Sequence, residues 1–212
     1  MNSNQVEFAL TNGDITSRIG ISSNNVPVKV QEIVKESSGK IFKASDFIEI
    51  VHLVDMDGAY IHDNQIVVKT PDILVDPDKP QKPFYSDNHI FVDNIEAIRQ
   101  RNQQKSTILN RLISLKNVWA TIPYSVYFFS CNLDHIMHGQ RNLFEKDKYA
   151  YAVQFDKSYG DSPQLFCDFL NAPEIAVQGN YGETWTFINA DTNSLKRYTN
   201  FQLFFSNPKN PR

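Results

Sequence analysis

Apolar residues recur along this chain with two different periods, and these periods predict strands and helices in alternation. Two short apolar runs, at about 47–54 and 122–129, are typical of buried strands. Apolar residues at helical spacing predict helices at about 28–39, 94–116 and 143–157. This order of elements predicts an α/β fold with a mainly parallel sheet and helices on both of its faces.

The segment between the two predicted strands is rich in proline. Residues 62–92 carry four prolines and one strand-like run, Ile66 to Val68. We therefore predict a single α/β domain over residues 1–212, with a loop insertion at about 62–92.

Weaker patterns lie at the two ends of the chain. The apolar piece Val6–Leu10 predicts a short strand that carries Glu7. Near the C-terminus, the pattern predicts an extended stretch at 184–188 and an amphipathic helix at 194–205.

The first predicted core strand ends in two carboxylates and a glycine. Ligands of open α/β sheets bind outside the carboxyl ends of the strands, so Asp55 and Asp57 would lie where chemistry usually takes place. Two carboxylates this close repel each other unless a cation lies between them, and Mg²⁺ or Mn²⁺ would meet that need. The same residues also fit a tight turn after the strand, in which Gly58 supplies a positive φ angle. The pattern is compatible with both a metal site and a structural turn.

Polar residues also follow the second predicted core strand. If the two strands are parallel neighbours, Ser130, Asn132, Asp134 and His135 face the same crevice as the first pair of carboxylates. Alternatively, Ser130 or Asn132 caps a helix on which Asp134 and His138 lie one turn apart. A zinc site is not indicated, because His135 and His138 have one nearby carboxylate and no cysteine at ligand spacing.

Composition limits the class of protein. The apolar content of 41% and aromatic content of 12% exclude a disordered chain, and a net charge of −3 gives no bulk attraction for nucleic acid. A nucleic-acid partner would need metal ions or a local basic face. The helix at 94–116 offers such a face, either for phosphate or merely solvated, through Arg99, Arg101, Lys105 and Arg111.

Localisation is predicted from cysteine usage and from apolar runs. The chain has two cysteines, Cys131 and Cys167, and the sequence shows no signal peptide. Its apolar runs are shorter than the ~20 residues that cross a bilayer. We therefore expect a cytoplasmic protein with reduced thiols and without membrane contact.

The motif order resembles that of the Toprim-like proteins of the RloB type. The resemblance covers about residues 45–170 and rests on Asp55-x-Asp57 after one strand and Ser130-x-Asn132 after a later one, followed by an acidic residue and a His on a helix. It implies a magnesium-dependent nuclease-like protein, with Asp55 and Asp57 as metal ligands, that acts on nucleic-acid phosphodiesters in defence against phage. A protein partner stays open as well, because the sequence does not show whether one activates the chain.

Two other functions fit the same residues. In a haloacid-dehalogenase-like phosphatase, Asp55 is the nucleophile and Asp57 the acid/base, and the later motifs are represented by Ser130, by Lys146 or Lys148, and by Gly160-Asp161. A non-catalytic binding or assembly protein keeps the fold without the chemistry. This last alternative stays open because the glutamate of the Toprim-like family has only Glu7 as a counterpart, outside a Gly-Thr-Glu pattern.

Overall fold

Short strands and α-helices alternate in the part of the chain that a computed structural model describes, residues 14–38 and 42–206. The helices are α1 (Val26–Ser37), α2 (Ile95–Ile113), α3 (Leu133–His138), α4 (Glu145–Tyr159), α5 (Pro163–Leu170), α6 (Tyr181–Ile188) and α7 (Gln202–Ser206). The strands are β1 (Ile50–Asp55), β2 (Ile66–Val68), β3 (Phe84–Tyr85), β4 (Ile90–Val92), β5 (Asn117–Val118) and β6 (Ile122–Phe129). The fold is therefore mixed α/β, as the pattern predicted. The predicted strand Val6–Leu10, with Glu7, lies outside the described residues.

The strands form two small sheets of mixed direction. In the first sheet, β6 lies between β1 and β5 and is antiparallel to β5. In the second, β4 is parallel to β2, with Ile66 opposite Ile90, and antiparallel to β3, with Phe84 opposite Phe91. The two predicted core strands, observed as β1 and β6, thus share one sheet.

The proline-rich segment at 62–92 contains β2, β3 and β4. Its sheet buries Ile66, Tyr85, Ile90 and Val92 in one apolar cluster, together with Ile61, Cys131 and Leu195. Burial of apolar side chains stabilises each by about 1.5–3 kcal/mol, which explains how such short strands persist. A large part of this segment is therefore packed rather than irregular.

Contacts divide the chain into two compact units, one made of residues 1–52 and 103–126 and the other of 53–102 and 127–212. The core of the first unit contains an ion pair. Lys105 is fully buried, and its Nζ lies 2.5 Å from Oδ2 of Asp14. That carboxylate also accepts the N–H of Thr16 at 2.8 Å and its hydroxyl at 2.7 Å. The buried ammonium is thus neutralised, and the predicted solvated face of α2 is wrong at this residue.

In the second unit, residues from a distant part of the chain form hydrogen bonds with the backbone at the end of β6. The buried Asn200 accepts the N–H of Phe128 at 2.9 Å, and the hydroxyl of Thr199 donates to the carbonyl of Phe128 at 2.7 Å. Ser130 donates its N–H to the carbonyl of Tyr198 at 2.8 Å. These bonds satisfy backbone groups that a further strand would otherwise pair.

Several predicted element types are wrong, for local reasons. The stretch predicted as extended at 184–188 belongs to α6, because Asn180 and Glu183 form a capping box that starts this helix. The amphipathic helix predicted at 194–205 is interrupted, because Thr199 pairs with Phe129 and Ala176 as β-bridges. Asn94 caps α2 by accepting the N–H of Ala97 at 3.0 Å. The chain caps α4 from a distance, since Asp76 accepts the N–H of Glu145 at 2.9 Å.

Candidate functional site at the ends of β1 and β6

A tight turn follows β1, next to the end of β6. Met56 donates its N–H to the carbonyl of Phe129 at 3.0 Å, and Asp57 donates to Cys131 at 2.6 Å, so the chain here runs parallel to the end of β6. The N–H of Ala59 donates to the carbonyl of Met56 at 2.9 Å and closes the turn.

The two central residues of this turn are Asp57 and Gly58. Both have positive φ angles, 48° and 69°, as in a type I′ turn, for which Asp-Gly is a favoured pair. A Cβ on Gly58 would lie 2.7 Å from Cδ2 of Leu195 and 2.8 Å from Cδ1 of Ile90. The turn prediction is confirmed, and Gly58 is required both for its φ angle and for the space.

Asp55 contacts the first turn of α3. Its Oδ1 accepts the backbone N–H of Leu133 at 2.9 Å, and Oδ1 of Asn132 accepts the N–H of His135 at 2.9 Å. The predicted capping role of Asn132 is confirmed. Because a carboxylate oxygen and an amide oxygen satisfy two helix-end donors, β1 and α3 are joined at this point.

Asp57 contacts a tyrosine and an arginine that were not predicted from the sequence as site residues. The hydroxyl of Tyr85 donates to Oδ1 of Asp57 at 3.5 Å. Arg101 donates from Nη1 to that hydroxyl at 3.2 Å and from Nη2 to the carbonyl of Asp57 at 2.8 Å. Burial raises the pKa of Tyr85, and the charge of Asp57 adds to the shift. The phenol therefore stays protonated and acts as a donor to the carboxylate.

A buried thiol lies among the charged groups of the site. Cys131 is fully buried at the end of β6, and burial raises its pKa well above the usual range. The negative charges of Asp57 and Asp55 raise the pKa of this thiol further, whereas the positive charges of Arg141 and Arg101 lower it. The charges of two carboxylates and two guanidinium groups therefore all act on this thiol. We call the set Asp55, Asp57, Arg101 and Arg141 the charged cluster.

The remaining predicted site residues have other contacts. The buried Ser130 hydroxyl donates to the carbonyl of Asn193 at 2.7 Å. Asp134 pairs with Nζ of Lys148 at 3.4 Å. His135 is buried, and burial, followed by the charges of Arg141 and Arg197, lowers its pKa to about 4. The structure thus places Asn132 with Asp55 and directs the Ser130 side chain elsewhere.

The number and type of ligands that the protein offers decide which metal ion the two carboxylates could bind. Within residues 14–38 and 42–206, no three or more His, Cys, Asp or Glu side chains converge as a group that could hold a metal ion. Asp55 and Asp57, two residues apart at the end of β1, could supply two carboxylates. Mg²⁺ typically binds one or two protein carboxylates and takes its other ligands from water or phosphate, so this set suits Mg²⁺ or Mn²⁺ rather than zinc.

Sequence reasoning missed Arg141 and Tyr85 as members of the site. Tyr85 lies in the proline-rich segment and Arg141 in the loop after α3, and neither position has a motif that indicates a role. Arg101 was identified only as part of a basic helix face.

Comparison of the chain with protein-family models, with curated proteins and with solved structures finds no match. Among the described residues, no helix has both the length and the apolar character that crossing a membrane requires.

Proposed function

We propose that this chain is a Toprim-like protein, built on a mainly parallel core sheet, that acts on nucleic-acid phosphodiesters with Mg²⁺ or Mn²⁺ as cofactor. The observation that carries the proposal is the charged cluster, in which Asp55 accepts the N–H of Leu133, Arg101 donates to the carbonyl of Asp57, and all four charges act on the thiol of Cys131. Carboxylates are ligands for a hard cation, and guanidinium groups bind phosphate. The resemblance to RloB-type proteins adds a role in defence against phage.

The metal would be held by Asp55 and Asp57. When bound, it would neutralise charge that develops on the phosphodiester and lower the pKa of a bound water. An ionised carboxylate has about four acceptor positions, so the hydrogen bond from Leu133 to Asp55 is compatible with metal ligation. Tyr85 and Arg101 would fix the rotamer and backbone of Asp57, which keeps both carboxylates at the end of β1.

Cleavage of single- and double-stranded nucleic acid in Mg²⁺ and in Mn²⁺ tests this proposal. We expect Asp55→Asn and Asp57→Asn to reduce the rate by about a hundredfold or more, because each removes one of the two carboxylates that would hold the metal. Asp63→Asn is the matched control, since the Asp63 side chain is 71% exposed and pairs with Arg99 on the surface. Equal cleavage by the parent and both site variants would contradict the proposal.

A second function is favoured by a specific observation. Asp55 caps α3 and Asp57 forms a type I′ turn, so both carboxylates have structural roles that need no metal. A non-catalytic binding or assembly protein that retains the fold would keep these roles. In that case the parent would not cleave nucleic acid in either metal, and Asp55→Ala would lower stability without any change in metal response.

The haloacid-dehalogenase-like alternative gains no support from the contacts of its predicted residues. The Ser130 hydroxyl donates to Asn193, and Lys148 pairs with Glu145 at 3.1 Å and with Asp134 at 3.4 Å. A generic phosphomonoester in the same assay distinguishes this activity from phosphodiester cleavage.

A further inference from the structure

Hydrogen bonds hold the carbonyl of Arg141 and the side chain of the next residue. The side-chain amide of Asn132 donates to the carbonyl of Arg141 at 3.0 Å. The neighbouring Asn142 accepts the N–H of Tyr85 at 2.8 Å and donates to its carbonyl at 2.8 Å, as a strand residue would. Arg141 is therefore held between α3 and β3, and its side chain starts from a defined position.

The guanidinium of Arg141 uses only part of its donor capacity. Its Nη2 donates to Oδ1 of Asp87, whose side chain is 71% exposed, whereas the Arg141 side chain is 17% exposed. Nε of Arg141 is buried, and among the described residues it has no hydrogen-bond partner. Nε and Nη2 lie on the same edge of a guanidinium group, the edge that binds carboxylate or phosphate through two parallel bonds. Asp87 thus accepts from Nη2, one of the two donors on this edge, and the other donor, Nε, stays without an acceptor in the described part of the chain.

A second buried nitrogen without a partner lies in the same electrostatic environment. Nδ1 of His135 has no hydrogen-bond partner among the described residues, and His135 is 6% exposed. Arg197 donates to the carbonyls of His135 and Ile136 at 2.9 and 2.6 Å, which adds a cation to this side of α3. The positive charges of Arg141 and Arg197 lower the pKa of His135, whereas the charge of Asp87 raises it. Displacement of Asp87 would remove the negative charge that opposes those of Arg141 and Arg197 at His135, and the remaining positive charge would favour an incoming anion.

We propose that Arg141 binds a phosphate group of the substrate, and that this phosphate displaces Asp87 and accepts from both Nη2 and Nε. Asp87 then acts as an internal substitute for the ligand, which keeps the guanidinium oriented when no substrate is bound. The identification of the phosphate as part of nucleic acid rests on the proposed function. Binding of a phosphate anion by Arg141 does not depend on it.

Titration with inorganic phosphate, followed by calorimetry on the full chain, tests the anion site without any assay of cleavage. We expect Arg141→Gln to weaken phosphate binding by about tenfold or more, the equivalent of one charge-assisted contact. Lys29→Gln is the matched control for lost charge, because Lys29 lies on α1 and pairs with Glu32 at 2.6 Å. Equal weakening by both variants would overturn the proposal, since it would show only a loss of net positive charge.

Removal of the competing carboxylate gives the opposite prediction. Asp87→Asn should strengthen phosphate binding, whereas Asp63→Asn, at a side chain that is also 71% exposed, should leave it close to the parent value. The Asp87→Asn variant also tests the anion site if Arg141→Gln fails to fold. Unchanged or weaker binding by Asp87→Asn would overturn the displacement of Asp87.

Cleavage kinetics separate the anion site from the proposed function. Arg141→Gln should raise KM for nucleic acid more than it lowers kcat, whereas Asp57→Asn should lower kcat. If the parent binds phosphate through Arg141 but cleaves no nucleic acid, the anion site stands and the nuclease-like function fails. If the parent cleaves and Arg141→Gln has the kinetics of the parent, the function stands and the role of Arg141 is overturned.

Discussion

Oδ1 of Asp55, at the end of β1, lies 2.9 Å from the backbone nitrogen of Leu133, at the start of α3, and accepts its hydrogen bond. One of the two proposed metal ligands therefore also satisfies a helix-end donor. The charge and the hydrogen-bonding capacity of this carboxylate can be separated by substitution.

Asp55→Ala should lower the free energy of unfolding by about 1 kcal/mol, because the N–H of Leu133 loses its acceptor. Asp55→Asn should change the free energy of unfolding by less than about half of that, since the amide oxygen still accepts. Urea denaturation of the two variants beside the parent measures the difference. Equal stability of the alanine variant and the parent would show that the hydrogen bond does not hold α3.

Gly58→Ala should be more destabilising than Gly20→Ala. Both glycines have positive φ angles, 69° and 82°, but a Cβ on Gly20 would meet nothing within 4 Å. Gly20→Ala should therefore cost only the backbone term of about 1–2 kcal/mol. Gly58→Ala should cost about 1–3 kcal/mol more, because its Cβ would press on the buried side chains of Leu195 and Ile90. Chemical denaturation of both variants measures this difference, and equal losses would contradict the close packing at the turn.

Stability should fall as the pH decreases from 6.5 to about 4. Burial lowers the pKa of His52 to about 4, and its Nδ1 lies 2.7 Å from the hydroxyl of Tyr124. Since the unfolded chain takes up a proton near pH 6.5 and the folded chain near pH 4, the unfolded state binds more protons between these values. His135, with a pKa of about 4, adds to the same loss.

Unfolding free energies measured at several pH values between 4 and 7 check this prediction. His52→Gln should reduce the slope of stability against pH, and the exposed His62 provides the control variant His62→Gln, which should keep the slope of the parent. A slope that is unchanged by His52→Gln would show that this half-buried imidazole takes up its proton in the folded state as readily as in the unfolded one.

The elements that could be predicted from the sequence are those whose signals are local. The apolar runs identified β1 and β6, and Asp57-Gly58 and Asn132 carried local signals for a turn and a cap. By contrast, Thr199 and Asn200 complete the end of β6 through bonds to Phe128, 71 and 72 residues away. A helical period in that segment could not reveal partners at such a distance.

The charged residues of α2 show the same limit. Periodicity assigned Arg101 and Lys105 to an exposed basic face, either for phosphate or merely solvated, but Lys105 pairs with Asp14 across 91 residues and Arg101 bonds to Asp57 across 44. A buried cation depends on the position of its counter-charge, which periodicity does not contain. For this reason the carboxylates of the charged cluster were predicted and its arginines were not.

Thermal unfolding with and without saturating Mg²⁺ tests the central claim most directly, for the parent and for Asp55→Asn and Asp57→Asn. A ligand that binds only the folded state raises the melting temperature by mass action. We expect Mg²⁺ to raise the melting temperature of the parent and of the surface control Asp63→Asn, and to leave that of both site variants unchanged. A parent protein whose melting temperature does not respond to saturating Mg²⁺ or Mn²⁺ would contradict the assignment of Asp55 and Asp57 as metal ligands.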